Sequence, residues 1–126
     1  MRVDYSAPVL IVDDEQVMVS LTMRVLAQVG FDHIDHADNG DAALGLLRQH
    51  RHKLVIADLR MQPMGGLQML RAIRQDHELK HTRFLLMTAS LEPVPVVAAK
   101  YAGADAYLLK PFTPQQLRSK VTEIFR

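Results

Sequence analysis

Four short apolar runs of this chain end on polar residues of different kinds: VLIVDD on Asp13 and Asp14, KLVIAD on Asp58, FLLMT on Thr88 and AYLLK on Lys110. Carboxylate oxygens suit magnesium, which favours octahedral oxygen coordination and usually takes one or two carboxylates, completing its shell with waters and phosphate oxygens. A carboxylate can also attack phosphorus and form an acyl phosphate. A hydroxyl donates to a phosphoryl oxygen, and an ammonium neutralises the charge that phosphoryl transfer develops. If the runs are parallel strands of one sheet, their carboxyl ends share an edge and these groups meet in one crevice. Asp13, Asp14 and Asp58 are then candidate metal ligands, Asp58 the candidate phosphoryl acceptor, and Thr88 and Lys110 its candidate partners.

Each residue taken singly has an ordinary explanation. Aspartate at a strand end begins turns and caps helices, threonine favours strands, and a lone lysine is usually solvated. The combination is harder to explain that way. Two unit charges about 4 Å apart repel by roughly 4 kcal/mol at an effective dielectric of 20, so three carboxylates at one edge call for a cation. Lys110 supplies one fixed positive charge, and it follows the buried-looking stretch AYLL.

The elements that must position these groups alternate between buried strand and amphipathic helix, the pattern of an α/β sheet covered on both faces. Strands are expected at Pro8 to Asp13, Phe31 to Ala37, Lys53 to Asp58, Arg83 to Thr88 and Asp105 to Lys110. The first helix carries Val17, Leu21, Val25 and Val29 on one stripe and stops at Gly30. Asn39 caps a second helix with Ala43, Leu44 and Leu47 on its apolar face. The third follows the turn Leu59 to Gly65 and repeats Leu67, Leu70 and Ile73, before a polar connection from Gln75 to Thr82. Pro93 and Pro95 delay the fourth, expected from about Pro95 to Ala102 with Gly103 closing it. Thr113, Pro114, Gln115 and Gln116 form a capping box for the fifth, whose stripe is Leu117, Val121 and Ile124. Right-handed crossovers then place helices on both faces of a five-stranded parallel sheet.

Composition narrows the function classes. With 126 residues and 48% hydrophobic content, the chain is expected to form a single domain spanning 1–126. Its formal net charge of +1 gives no global attraction to nucleic acid or an anionic membrane. The absence of cysteine excludes disulfides, thiolate metal sites and a cysteine nucleophile. No apolar run approaches a membrane span and the start carries no signal-peptide core, so a soluble, cytoplasmic protein without membrane insertion is expected. No GxxxxGK[ST] loop is present, which argues against a nucleotide hydrolase. Basic residues are scattered, giving no support for direct nucleic-acid binding. The six histidines are taken as surface residues rather than metal ligands, His77 and His81 included, and Met18, Met23, Met69 and Met87 as packing residues.

Residues 8–125 resemble the receiver domain of bacterial two-component response regulators, in register from end to end. The resemblance rests on Asp13-Asp14, Asp58, Met61, Thr88-Ala89, Gly103-Ala104, Tyr107, Lys110-Pro111-Phe112 and Thr113, and the segment TAS…AAKYAGADAYLLKPFT is similar to freestanding chemotaxis-type regulators. It implies a flavodoxin-like doubly wound sheet of order 2-1-3-4-5 with five helices, in which a sensor histidine kinase or histidine phosphotransfer protein phosphorylates Asp58. Magnesium would be held by Asp13, Asp14, Asp58 and the backbone carbonyl of Arg60. Thr88 corresponds to the switch hydroxyl, Tyr107 to the switch aromatic, Lys110 to the phosphate-pairing lysine, and Lys110-Pro111 to a cis peptide.

The same resemblance implies a downstream protein target contacted through the surface of the fourth helix, fifth strand and fifth helix, with Lys100, Tyr101, Tyr107 and Arg118 as candidate contacts. Arg60 and Ser90 occupy the positions that tune phosphate lifetime in the family. The chain departs from the family after the acceptor: Met61-Gln62-Pro63-Met64-Gly65-Gly66 stands where Met-Pro-X-Met-Asp-Gly is common. A motor-binding chemotaxis regulator, a phosphorelay shuttle and a receiver from a longer regulator all fit these residues. An aspartate-nucleophile phosphatase fits less well, because such enzymes place a second aspartate two residues after the nucleophile, where this chain has Arg60.

Overall fold

Strand side chains point alternately to two sides, and where both sides are covered the strand is a continuous hydrophobic run, as in VLIV at Val9–Val12, whereas the edge strand Ile34–Ala37 carries exposed Asp35 and His36. The computed structural model describes residues 3–61, 64–89 and 93–125, apart from the side chains of 93–96. The order is β1 (Val9–Val12), α1 (Gln16–Val29), β2 (Ile34–Ala37), α2 (Gly40–His50), β3 (Leu54–Asp58), α3 (Gly66–Gln75), β4 (Arg83–Thr88), α4 (Pro93–Ala102), β5 (Ala106–Leu109) and α5 (Pro114–Phe125). All strand pairs are parallel, in the order β2-β1-β3-β4-β5. This is the flavodoxin-like doubly wound sheet.

Two cores result. Val9, Ile11, Leu54, Ile56, Leu85, Met87, Ala106 and Leu108 pack under α1 and α5. The intervening residues Leu10, Val12, Val55, Ala57, Phe84 and Leu86 pack with buried side chains of α2, α3 and α4. Carrying the alternation to the carboxyl ends of the strands, and one step beyond β1 and β5, has a chemical consequence. Asp13, Asp58 and Lys110 share the parity of the α1/α5 side, while Thr88 and Tyr107 share the parity of the other.

Local signals account for the helix boundaries. Asn39 Oδ1 accepts from the Ala42 amide at 2.9 Å, and Thr113 and Gln116 cap α5 reciprocally at 3.1 and 2.8 Å. Gly30 closes α1, its amide donating to Leu26 and Ala27. The Lys110-Pro111 peptide is cis. Gly66 follows from close packing: a Cβ there would collide with the carbonyl of Asp58. Only a residue without a side chain lets α3 start against the end of β3.

Several expectations are corrected. The buried stripe of α1 is Val19, Thr22, Val25 and Leu26, whereas Val17 is 80% exposed. The polar Thr22 sits in that stripe because its hydroxyl donates to the Met18 carbonyl at 2.7 Å. α4 starts at Pro93, not Pro95; both prolines fall in a first turn, whose amides have no intrahelical acceptor. β2 begins at Ile34, three residues after the expected Phe31, which instead packs against Tyr5 and Phe125. β1, β3 and β5 are each trimmed at one or both ends. His77 and His81 are exposed. His52 is not a surface residue: it is buried, with Nε2 2.7 Å from Asp35 Oδ2.

Two glycines test the packing in opposite directions. Gly45 lies within α2 with nothing near a built Cβ, so Gly45→Ala should stabilise the protein by about 1 kcal/mol through helix propensity. Gly66→Ala should destabilise it by about 3 kcal/mol or more through overpacking against β3. Denaturant unfolding of the two variants checks both signs.

Candidate functional site

The sheet order places β1 and β3 side by side, with Val12 in register with Ala57, so Asp13 and Asp58 emerge next to one another. β4 and β5 follow on the same edge, and the Leu59 and Lys110 amides donate to Met87 and Thr88 carbonyls at 2.8 and 2.7 Å. The stem of Lys110 then reaches back across β4. Its Nζ lies 2.9 Å from Asp13 Oδ2, 3.3 Å from Asp58 Oδ2 and 3.5 Å from Glu15 Oε1. The shared parity of Asp13, Asp58 and Lys110 makes this possible.

Burial and charge set the protonation behaviour. Asp13 is 1% and Asp58 7% exposed, whereas Asp14 and Glu15 face solvent. Burial pushes the Asp58 carboxyl above the ordinary aspartate range; Lys110 opposes this, the Asp13 charge adds to it, and a hydrogen bond from the Arg60 amide opposes it. Burial works against the Lys110 ammonium, but the hydrogen bond to Asp13 and the charges of Asp58 and Asp13 outweigh it and hold its pKa above the usual lysine value. The ammonium therefore stays charged at neutral pH and offsets part of the carboxylate repulsion.

One oxygen from each of Asp13, Asp14, Glu15 and Asp58 can be chosen so that all lie within 4.8 Å of one another. An all-oxygen, multiply anionic donor set matches magnesium and poorly matches soft or nitrogen-seeking metals. The residues present fit that ion.

Thr88 is buried at the end of β4, and Tyr107 packs against the core on the α2–α4 side. The Tyr107 hydroxyl is buried without a hydrogen-bond partner among the described residues, and burial raises its pKa. Lys100, Tyr101 and Arg118 are exposed, Tyr101 by 87%. Gln62, Pro63 and Ser90 lie outside the described residues. Arg60 meets Asp58 through its amide. Glu15 is the member of the cluster that sequence reasoning missed. It is the third acid of the run Asp13-Asp14-Glu15, and its amide donates to Asp13 Oδ1 at 3.0 Å at the start of α1.

Comparison with known proteins bears on this geometry. The model of the response regulator receiver domain matches residues 9–122. The chain is 37% identical over 117 residues to the chemotaxis protein CheY of Pseudomonas aeruginosa, covering 93% of this chain and 94% of the relative. Among solved structures, Vibrio cholerae chemotaxis protein CheY4 superposes with a TM-score of 0.89 at 28% identity, covering 94% of this chain and 98% of the other. The receiver domain of the sensor histidine kinase PA1611 from P. aeruginosa, solved with magnesium coordinated in its active-site cleft, superposes with a TM-score of 0.86 at 21% identity over 95% and 98% of the two chains. This chain belongs to the response regulator receiver-domain family of two-component signalling and is a homologue of the CheY chemotaxis proteins. No described helix is long and apolar enough to cross a membrane.

The charge arrangement has a measurable sign. The folded protein binds the Asp58 proton more tightly than the unfolded chain does, so ionised Asp58 destabilises the fold once the pH exceeds the raised pKa. Asp58→Asn should stabilise the metal-free protein at pH 7 by on the order of 1 kcal/mol. The advantage should vanish as the pH falls through the carboxylate range. Lys110 acts at the other end: its stabilisation is present through neutrality and is lost as the pH rises through its raised pKa. Thermal melts from pH 3 to pH 11 check both.

Proposed function

We propose that this chain is a single receiver domain, spanning 1–126, that accepts a phosphoryl group on Asp58 from a phosphohistidine of a sensor kinase or phosphotransfer protein and thereby switches a protein-binding surface. The observation that carries this reading is the Lys110 ammonium held between Asp13 and Asp58 in a site built of four carboxylates.

An Asp58 carboxylate oxygen forms a bond to phosphorus as the phosphorus–nitrogen bond of the donor breaks. The electron pair leaves with the imidazole, and an acyl phosphate remains on Asp58. Lys110 pairs with the phosphoryl oxygens that replace the Asp58 carboxylate as its neighbour. Asp13, Asp14 and Asp58, with the carbonyl of Arg60, would hold magnesium, and Glu15 stands beside them; the ion would supply charge neutralisation at the phosphoryl oxygens. Hydrolysis of the acyl phosphate by water returns the resting carboxylate, so the only reactions catalysed are the domain's own phosphorylation and dephosphorylation.

Thr88 ends β4 beside the acceptor, on the side of the sheet where Tyr107 packs. A hydroxyl drawn toward a new phosphoryl group changes the space available to that ring, and this passes the event to α4, β5 and α5. That surface has the character of a docking face. It exposes Tyr101, Val97 and Leu109, and holds a groove of about 650 Å³ lined by residues including Tyr107, Leu109, Gln116 and Lys120. Its downstream target is a protein, in signalling of the chemotaxis type that the homologues share.

Incubation with magnesium and acetyl phosphate should add one phosphoryl mass to the chain. Asp58→Asn should abolish the adduct, Asp13→Asn or chelation should lower it at least tenfold, and a kinase-borne phosphohistidine should donate to the same residue. A folded wild-type sample that takes phosphate from neither donor contradicts the reading. Independently of phosphate, magnesium at about a hundredfold excess over its Kd should raise stability by about 2.7 kcal/mol, and Asp13→Asn should remove most of that gain.

A further inference from the structure

Among the described residues, the one guanidinium that saturates itself with protein partners lies at the opposite end of the sheet from Asp58. Arg74, in the last turn of α3, donates from Nε and Nη2 to the Gly103 carbonyl at 3.1 and 2.9 Å. Nη1 donates to the carbonyls of Lys80 and Thr82 at 3.0 and 2.5 Å, and Nη2 also to Asp105 Oδ2 at 3.2 Å. An arginine has five N–H groups in a fixed fork, and all five have acceptors here.

Those acceptors come from separate parts of the chain. Lys80 and Thr82 lie in the connection into β4, Gly103 follows the last residue of α4, and Asp105 precedes β5. Asp105 tightens the junction further, accepting from the Phe84 amide at 2.8 Å while its own amide donates to the Phe84 carbonyl at 2.9 Å. Gly103 adopts φ +100°, and a Cβ there would meet Arg74 Nε at 3.0 Å. The turn and the guanidinium are shaped to each other.

Along its length α4 is held more lightly. Of its described side chains only Ala99 is fully buried, while Val97, Lys100 and Tyr101 are exposed. Small alanine contacts slide at little energetic penalty, whereas five charge-assisted or carbonyl hydrogen bonds do not. The same junction pins the start of β4, whose far end carries Thr88.

We propose that Arg74 is a positioning residue that fixes the carboxyl end of α4, so that a rearrangement starting at Asp58 turns the helix about Gly103 instead of displacing it whole. The inference rests on the phosphorylation reading above for its trigger, but the anchor itself does not. It assigns the docking face a geometry: Val97, nearer the amino end, moves further than Tyr101, and the turn at Gly103 stays in place.

Amide hydrogen exchange on the full chain tests both parts, with the β1 amides as the reference for global opening. In Arg74→Gln, exchange at Gly103, Ala104 and Asp105 should accelerate at least tenfold relative to β1. Arg74→Lys, with three donors, should fall between the variant and wild type and serves if the glutamine variant does not fold. After acetyl phosphate treatment, wild-type changes should concentrate toward the amino half of α4 with 103–105 still protected; in the variants they should extend through 103–105. Exchange at 103–105 within twofold of wild type in both folded variants would overturn the anchor. Loss of protection at 103–105 in phosphorylated wild type would overturn the pivot alone. No phosphoryl mass on the wild type would instead overturn the function on which the pivot rests.

Discussion

A single ammonium holds the functional edge of this protein together. Lys110 touches Asp13, Glu15 and Asp58 at once, and without it two nearly buried carboxylates would face one another across adjacent strands. Carboxylates so placed either protonate, expel one another or find a cation. The resting protein uses its own cation, which keeps Asp58 partly compensated while burial still raises its pKa. Removing the ammonium would leave both carboxylates uncompensated, a loss typically worth about 3–5 kcal/mol for a buried charge pair.

The sheet exists in the form that this contact requires. Strand order β2-β1-β3-β4-β5 puts the two aspartate-bearing strands at the centre and the lysine-bearing strand at the edge. Pleating then separates the chemistry: the charged groups share the α1/α5 parity, and Thr88 and Tyr107 the opposite one. The charged cluster and the Thr88–Tyr107 pair thus lie toward different sides of one sheet. At the other end of the sheet Arg74 ties the connection into β4 to the turn after α4.

Much of this was legible in the residues because strand ends announce themselves. Runs such as LVIAD end on a charge that must find a partner at the sheet edge, and Asn39 and Thr113 mark helix starts by local hydrogen bonds that need no tertiary context. The phase of α1 was not legible: Val17, Leu21, Val25 and Val29 form a stripe on paper, but packing selects Val19, Thr22, Val25 and Leu26, with Thr22 made acceptable by a bond to its own helix. The fourth helix began earlier than its prolines suggested, since first-turn amides need no acceptor. Glu15 was legible as the third acid of the run Asp13-Asp14-Glu15, but its contact with Lys110 was not, and His52 and Arg74 share that difficulty. Their partners, Lys110, Asp35 and Gly103, are distant in sequence, and no local pattern encodes such pairing.

The central electrostatic claim is most directly tested by following the Asp58 carboxyl carbon by NMR as a function of pH, in metal-free wild type and in Lys110→Met. Wild-type Asp58 should titrate above ordinary aspartate, and removing the ammonium should move its titration higher still, because the charge that holds it down is gone. An Asp58 titration unchanged by the loss of Lys110 would contradict the account.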